Sequence, residues 1–318
     1  MSSITEPGIY DIPEDEYHAD PVDPISVSSS ILKEIYRGTP ANARLSHPKL
    51  NKNFEPDERQ TFDLGSAAHA LILYDDRKFE IIEADDYKTN AAKAARAKAR
   101  LEGKIPLLTK HWDSVKAMAK AVRLQIMLSD AQGAFDAGKP QKTIVWREII
   151  HGQPVMCRAL LDWLHDRPGN VFYDFKSTGV GVGPDEWAKR TLFDTGADIQ
   201  DAFYRRGIRQ VLGIENPIFR FIAAENYPPY LIAIHELSPA AKAMAEVKVE
   251  SSLQYWAWCR RHNKWPGHSR HVHYIDAPPW EAARAEMVGY MREAYAKDDP
   301  EAIAAAIDFF KPLEETKE

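Results

Sequence analysis

Three residues with the right types and spacing for chemistry stand in the middle of the chain: Asp162, Asp174 and Lys176. Asp174 and Lys176 are two apart in the run VFYDFKST, whose β-branched and aromatic residues predict a strand. Both side chains then point to one face. Asp162 lies in the preceding run PVMCRALLDWL, and HDRPGN between them reads as a turn. A hairpin closed there sets Asp162 opposite Tyr173, one position from Asp174. Like charges facing each other across strands are unfavourable unless a proton or a cation is held between them. Paired carboxylates of this kind suit Mg²⁺, with water and phosphate oxygens completing the shell. A lysine beside such a site can position a water or stabilise charge developing on phosphorus. The chemistry indicated is metal-assisted phosphodiester hydrolysis. A lone D-x-K is commonly a surface ion pair. Here the apolar flanks Val171, Phe172, Tyr173 and Phe175 put an acid and a lysine inside an otherwise buried strand, which calls for a reason.

The elements that must position these residues follow from local patterns. TIVWREII, PVMCRALLDWL and VFYDFKST predict a three-stranded meander. A helical stretch follows from about Pro184 to Leu212, closed by Gly213. IFRFIAAE and YLIAIHEL are two further strands around Asn226-Tyr227-Pro228-Pro229, and a long helix runs from Ser238-Pro239 to about His262. Upstream, Ser28-Ser29-Ser30 marks a helix start, and LGSAAHALIL (64–73) reads as a helix. Residues 1–25 read as an irregular arm. Residues 88–123 read as one or two helices rich in bases (Lys88, Lys93, Arg96, Lys98, Arg100, Lys104, Lys110), either a solvated face or a phosphate-contacting surface. Strands in the middle with helices on both sides predict an α/β sandwich around a central mixed β-sheet.

With those elements in place, RALLDWLHDRPGNVFYDFKST resembles the second and third motifs of the PD-(D/E)XK nucleases. Gln200 and Tyr204, i and i+4 on a helix, resemble the QxxxY motif of the RecB-like branch. His69 within LGSAAHALIL resembles the first motif of RecE-type (exonuclease VIII-like) phage recombination exonucleases, in which a histidine takes the place of a glutamate ligand. Gly65, four residues earlier, would let that helix pack close to the sheet. Thr39-Pro40, AAENYPPYLIAIHEL and KWPGHS add to the likeness, which spans roughly residues 8–290 in scattered blocks.

The resemblance implies a restriction-endonuclease-like core over residues 26–290, with the partly basic segment 88–125 as an insertion and 291–318 as a C-terminal helix and polar tail. It implies that His69, Asp162, Asp174 and the backbone carbonyl of Phe175 bind Mg²⁺, with Mn²⁺ able to substitute. Lys176 would attend the nucleophilic water. Gln200 and Tyr204 would orient the lysine, the water or a DNA phosphate. The implied activity is 5′→3′ digestion of linear double-stranded DNA, leaving 3′ single strands for an annealing partner. A homo-oligomeric ring, for instance a tetramer, is implied by relatives of that type. A structure-specific or defence endonuclease, and a non-catalytic DNA-binding protein on the same scaffold, remain alternatives.

Other candidates rank lower. Glu148 on the preceding strand could reach the site or sit at the surface. Arg158, four before Asp162, could contact a phosphate or pair with an acid. His268, His271 and His273 lack the paired cysteines or helical spacing of a zinc site. Trp256, Trp258 and Trp265 could stack on bases, though packing is the safer reading. Cys157 and Cys259 form no ligand pair, suggest no disulfide framework, and are too few for an iron–sulfur nuclease.

The 318 residues are 44% hydrophobic and 28% charged, ordinary for a globular chain. The net charge of −6 argues against coating nucleic acid through bulk charge and leaves room for a local basic channel. No signal core and no membrane-spanning run is evident, so a cytoplasmic protein is expected.

Overall fold

The computed structural model describes residues 3–55, 64–73 and 79–302; the side chains of residues 64–66 lie outside the description, and with them the expectation for Gly65. The chain divides into two units, Met1–Gly267 and His268–Glu318. The second contributes helix α10, Pro279–Lys297. Among the described residues no helix is long and apolar enough to cross a membrane.

Among its described residues the first unit has three small sheets. Strands β1 (Gly8–Tyr10), β4 (Gly138–Ile150) and β5 (Gln153–His165) form one, in the order β1-β4-β5, all antiparallel. Strands β2 (Phe79–Ile82) and β3 (Ile105–Leu108) form a parallel pair. Strands β6 (Val171–Thr178), β7 (Ile218–Glu225) and β8 (Ile232–Glu236) form a mixed sheet, β6 parallel to β7 and β7 antiparallel to β8. Helices before the site strands are α1 (Glu14–His18), α2 (Ser29–Arg37), α3 (Pro40–Leu45), α4 (Leu64–Leu73), α5 (Asn90–Leu101) and α6 (Thr109–Met127). After them come α7 (Pro184–Trp187), a π-helix (Ala188–Leu192), α8 (Ala197–Leu212) and α9 (Pro239–His262).

The meander expected over β4, β5 and β6 is corrected. Only β4 and β5 form a hairpin; β6 leaves the turn to pair with β7, residue 174 opposite 221. The cause lies in β6 and β7 themselves. Strand β7 is apolar on two faces, as a strand covered on both sides must be, and β6 beside it is covered on both. On β7, Phe219, Phe221 and Ala223 enter the core shared with α8 and α9, while Ile222 and Ala224 enter the core shared with α4 and α6. Strand β6 follows the same alternation: Phe172 faces the first core and Phe175 the second.

The arm over residues 1–25 is also more regular than expected. It contains β1 and α1, and Ile4 and Val22 pack on Val145 and Met156, covering the outer face of the β4–β5 hairpin. Buried polar contacts pin it. Asp20, fully buried, accepts hydrogen bonds from Ser26 Oγ (2.6 Å) and the Ser26 amide (3.1 Å) and pairs with Arg158 at 3.1 Å. His47 Nε2 lies 2.9 Å from the Ser26 carbonyl oxygen.

Two further differences come from short-range signals. The basic stretch 88–123 is split by β3 between α5 and α6, because Ile105–Leu108 is an apolar tetrad that pairs with Phe79–Ile82. The stretch 184–212 is broken before α8, where Gly196 takes a left-handed conformation (φ 68°) that favours glycine. At its far end α8 stops at Gly213 (φ 68°), as expected.

Candidate active site

Four elements bring the chemistry together. Because residues alternate along β6, Asp174 and Lys176 share the Phe172 face toward α8, whereas Phe175 turns toward α4. On α8, Gln200 donates from Nε2 to Asp174 Oδ1 at 2.7 Å. Helix α8 can approach this closely because Gly207, one turn beyond Tyr204, lies against Trp146: a Cβ there would come 2.7 Å from the indole. On β5, Asp162 Oδ2 accepts the amide N–H of Phe175 at 2.7 Å. This bond stands where a ladder between β5 and β6 would otherwise run. From α4, His69 Nε2 lies 3.0 Å from the same Asp162 oxygen, and the His69 ring packs 5.7 Å from that of Phe175.

Two ion pairs therefore sit side by side, His69 with Asp162 and Lys176 with Asp174 (2.5 Å). Asp174 is buried, while the Lys176 side chain keeps 32% of its surface exposed and opens the site to solvent. Burial pushes the Asp174 carboxyl up to about 6, and the charge of Asp162 adds to this against the pull of Lys176. Burial also works to raise Asp162, but His69, Lys176 and the Phe175 amide outweigh it and hold the carboxyl below its usual range. Burial works to lower both bases, yet Asp162 keeps His69 above, and Asp174 with Asp162 keeps Lys176 above, their ordinary values.

The donor set suits a hard divalent cation. Asp174 Oδ2 is buried and, among the described residues, accepts no well-aligned hydrogen bond; it pairs with the Lys176 ammonium. In an extended strand the N–H and C=O of one residue point to the same edge, so the Phe175 carbonyl shares the edge whose amide Asp162 holds. Two carboxylates, one imidazole and a backbone carbonyl are ligands that Mg²⁺ or Mn²⁺ accepts. Among the described residues, no three His, Cys, Asp or Glu side chains converge into a ready ligand cluster. The three expected ligands are thus only partly gathered: His69 touches Asp162, and Asp174 turns to Gln200 and Lys176.

Tyr204 is buried against Phe219, rings 5.5 Å apart in an edge-to-face contact, and makes no hydrogen bond to Lys176 or Asp174. Burial, with Tyr17, Asp174 and Asp162 nearby, pushes its phenol well above the ordinary value. The lower-ranked candidates fall away from the site. Glu148 accepts from Trp146 Nε1 (3.0 Å) and pairs in register with Val155, far along the hairpin from Asp162. Arg158 is buried in its pair with Asp20. His268, His271 and His273 are exposed in the second unit. Trp256 is buried, Trp265 packs on the core, and Trp258 is 43% exposed, stacked on His262. Cys157 and Cys259 are free and buried.

One residue in this neighbourhood carries no motif. Lys33, on α2, lays its stem across Gly196, the residue that begins α8. Burial, then the charge of Lys176, lowers its ammonium to about 8. In the sequence it is one lysine just after the helix start at Ser28-Ser29-Ser30, an unremarkable pattern.

The mixed sheet, its flanking helices and this acid–lysine pair on one strand define an α/β domain of the PD-(D/E)XK type. Residues 28–278 match the family described as a PDDEXK-like domain of unknown function (DUF3799), and the chain belongs to it. Among solved structures it is similar to one from Eubacterium rectale named "Putative exonuclease", at 16% identity and TM-score 0.53, covering 85% of this chain and 96% of that one. That likeness is one of fold. A second, SSO0001, is 10% identical with TM-score 0.27 over 68% of this chain and 84% of that one, too distant to carry an argument. No curated protein matches the chain.

Proposed function

We propose that this protein is a Mg²⁺-dependent DNA exonuclease of the RecE type that digests linear duplex DNA from its 5′ ends. The observation that carries the reading is the meeting of β5, β6, α4 and α8 at one spot. His69 there shares an oxygen of Asp162 with the Phe175 amide, and Gln200 and Lys176 share Asp174. Membership of a PDDEXK-like family supports nuclease chemistry. The similar fold of the Eubacterium rectale protein, named as an exonuclease candidate, supports the exonucleolytic form.

His69, Asp162, Asp174 and the Phe175 carbonyl would hold the metal. Bound there, it would supply Lewis-acid chemistry for phosphodiester hydrolysis. The protein's own groups do the rest. Gln200 fixes the rotamer of Asp174 by donating to Oδ1. Lys176, partly exposed, orients the attacking water and neutralises charge on the phosphate oxygens. Tyr204 packs behind the acids on Phe219 and keeps bulk water from that side. The resulting 3′ single strands would pass to an annealing protein, and a ring of several copies would keep the duplex threaded.

Incubation with linear and covalently closed circular duplexes in Mg²⁺ tests this. Progressive shortening of the linear form alone is expected. Cutting of the closed circle would establish an endonuclease instead.

A further inference from the structure

Lys33 occupies a place that its structural role does not explain. Its stem is fixed: a Cβ added at Gly196 would lie 3.0 Å from Lys33 Cγ and 3.2 Å from Cδ. Gly196 begins the helix that carries Gln200, so Lys33 is held in a set relation to the acid–lysine pair. Beyond that stem its ammonium has no partner. Among the described residues Lys33 makes no hydrogen bond and no ion pair.

The acids whose charge reaches it are each paired with another lysine. Asp198 pairs with Lys248 at 2.5 Å, and Asp174 with Lys176 and Gln200. The strongest charge acting on Lys33 is in fact a like one, that of Lys176, followed by Asp174, Asp198 and Arg37. A half-buried ammonium without a paired counter-charge, within the field of a second ammonium, is unfavourable in the free protein. An anion between the two would relieve both.

We infer that Lys33 is a phosphate-binding residue of this site, contacting with Lys176 the non-bridging oxygens of a nucleic-acid phosphodiester. The inference rests on the nuclease reading and adds a residue from outside the four motifs. Its consequence is that α2 forms one wall of the substrate channel, and that the Lys33–Gly196 contact sets the distance between that wall and the catalytic strand.

The test compares the parent with Lys33→Met, which keeps the stem over Gly196, and Lys33→Arg, which keeps the charge. The kcat/KM on a linear duplex in Mg²⁺ and the salt dependence of binding to a fluorescent duplex in EDTA are both measured. Lys33→Met should lower kcat/KM about 10- to 100-fold, the worth of one charged hydrogen bond, with Lys33→Arg recovering most of it. The slope of log K against log salt should fall by roughly one phosphate contact. The melting temperature of Lys33→Met should be no lower than the parent's, since an unpaired cation is removed. Where Lys33→Met does not fold, Lys33→Gln takes its place with the same expected outcomes. A neutral variant that cleaves and binds like an active parent overturns the phosphate contact alone. A parent that neither binds nor cleaves DNA overturns the nuclease reading and this inference with it.

Discussion

Asp162 and Phe175 are joined by a side chain doing the work of a backbone: the carboxylate takes the amide N–H of Phe175 at 2.7 Å across strands that form no ladder. The bond holds the Asp162 carboxylate at the edge of β6, next to His69. Replacing Asp162 by alanine removes both the His69 partner and the acceptor for the amide. We expect Asp162→Ala to lose activity by on the order of 10²–10³-fold, as when one electrostatic contributor is removed from a catalytic site. Asp162→Asn keeps an acceptor for Phe175 N–H but loses the charge. It should retain the parent's melting temperature more closely than Asp162→Ala while remaining as inactive. Equal activity of Asp162→Asn and parent would refute a charged role.

The pH response follows from Asp174. Its carboxyl, raised to about 6 by burial and by Asp162, carries a proton over part of the range in which an ordinary aspartate is ionised. A cation binds the carboxylate form, so below about pH 6 each binding event must displace a proton, and affinity falls as the pH falls. Added Mg²⁺ should therefore raise the melting temperature more at about pH 8 than at about pH 5. Calorimetry in buffers of differing ionisation enthalpy should show proton release at the lower pH. A metal-induced shift independent of pH would contradict the assignment of Asp174 as a ligand.

Away from the site, Asp20 and Arg158 give a contrast. Both are buried, and they pair at 3.1 Å. Removing one partner of a buried pair leaves the other charge uncompensated, at a cost of about 3–5 kcal/mol. Asp20→Ala should lower stability by that order in urea unfolding. At temperatures where the variant is folded, its kcat should stay within a few-fold of the parent's.

Helix α8 is held by the fit of Gly207 against Trp146. Gly207→Val forces the helix outward or the indole aside, at about 1–3 kcal/mol for overpacking. Because Gln200 rides on the same helix, kcat should fall as well. A variant destabilised by this amount but with unchanged kcat would show that the position of α8 does not govern Asp174.

How far the sequence disclosed this arrangement depends on the range of the interaction that produces it. The α4 helix at 64–73, the start of α9 at Ser238-Pro239 and the Gly213 stop are set by local signals, and the structure has them where the sequence predicts. The i, i+2 relation of Asp174 and Lys176 is equally local, and they pair on one face. The partner of β6 is not local. Turn residues 165–170 suggested a return onto β5, whereas burial on two faces favours β7, some forty residues on, and nothing in the turn encodes that choice. Asp162 and β6 still meet, through the Phe175 amide rather than a cross-strand pair. Asp20 in the arm, Ser26 just after it, and Lys33 on α2 escaped notice because Arg158 and Gly196, which they meet, lie more than a hundred positions away.

The central claim, that this cluster hydrolyses DNA ends, is tested most directly with a linear duplex labelled at its 5′ or 3′ end, sampled over time in Mg²⁺ with the parent and with Lys176→Ala. Early release of the 5′ label as short products and late loss of the 3′ label are expected. So are arrest by EDTA and a rate for Lys176→Ala lower by on the order of 10²–10³-fold. A duplex left intact by the parent in both Mg²⁺ and Mn²⁺, or digestion by Lys176→Ala at the parent's rate, would contradict the claim.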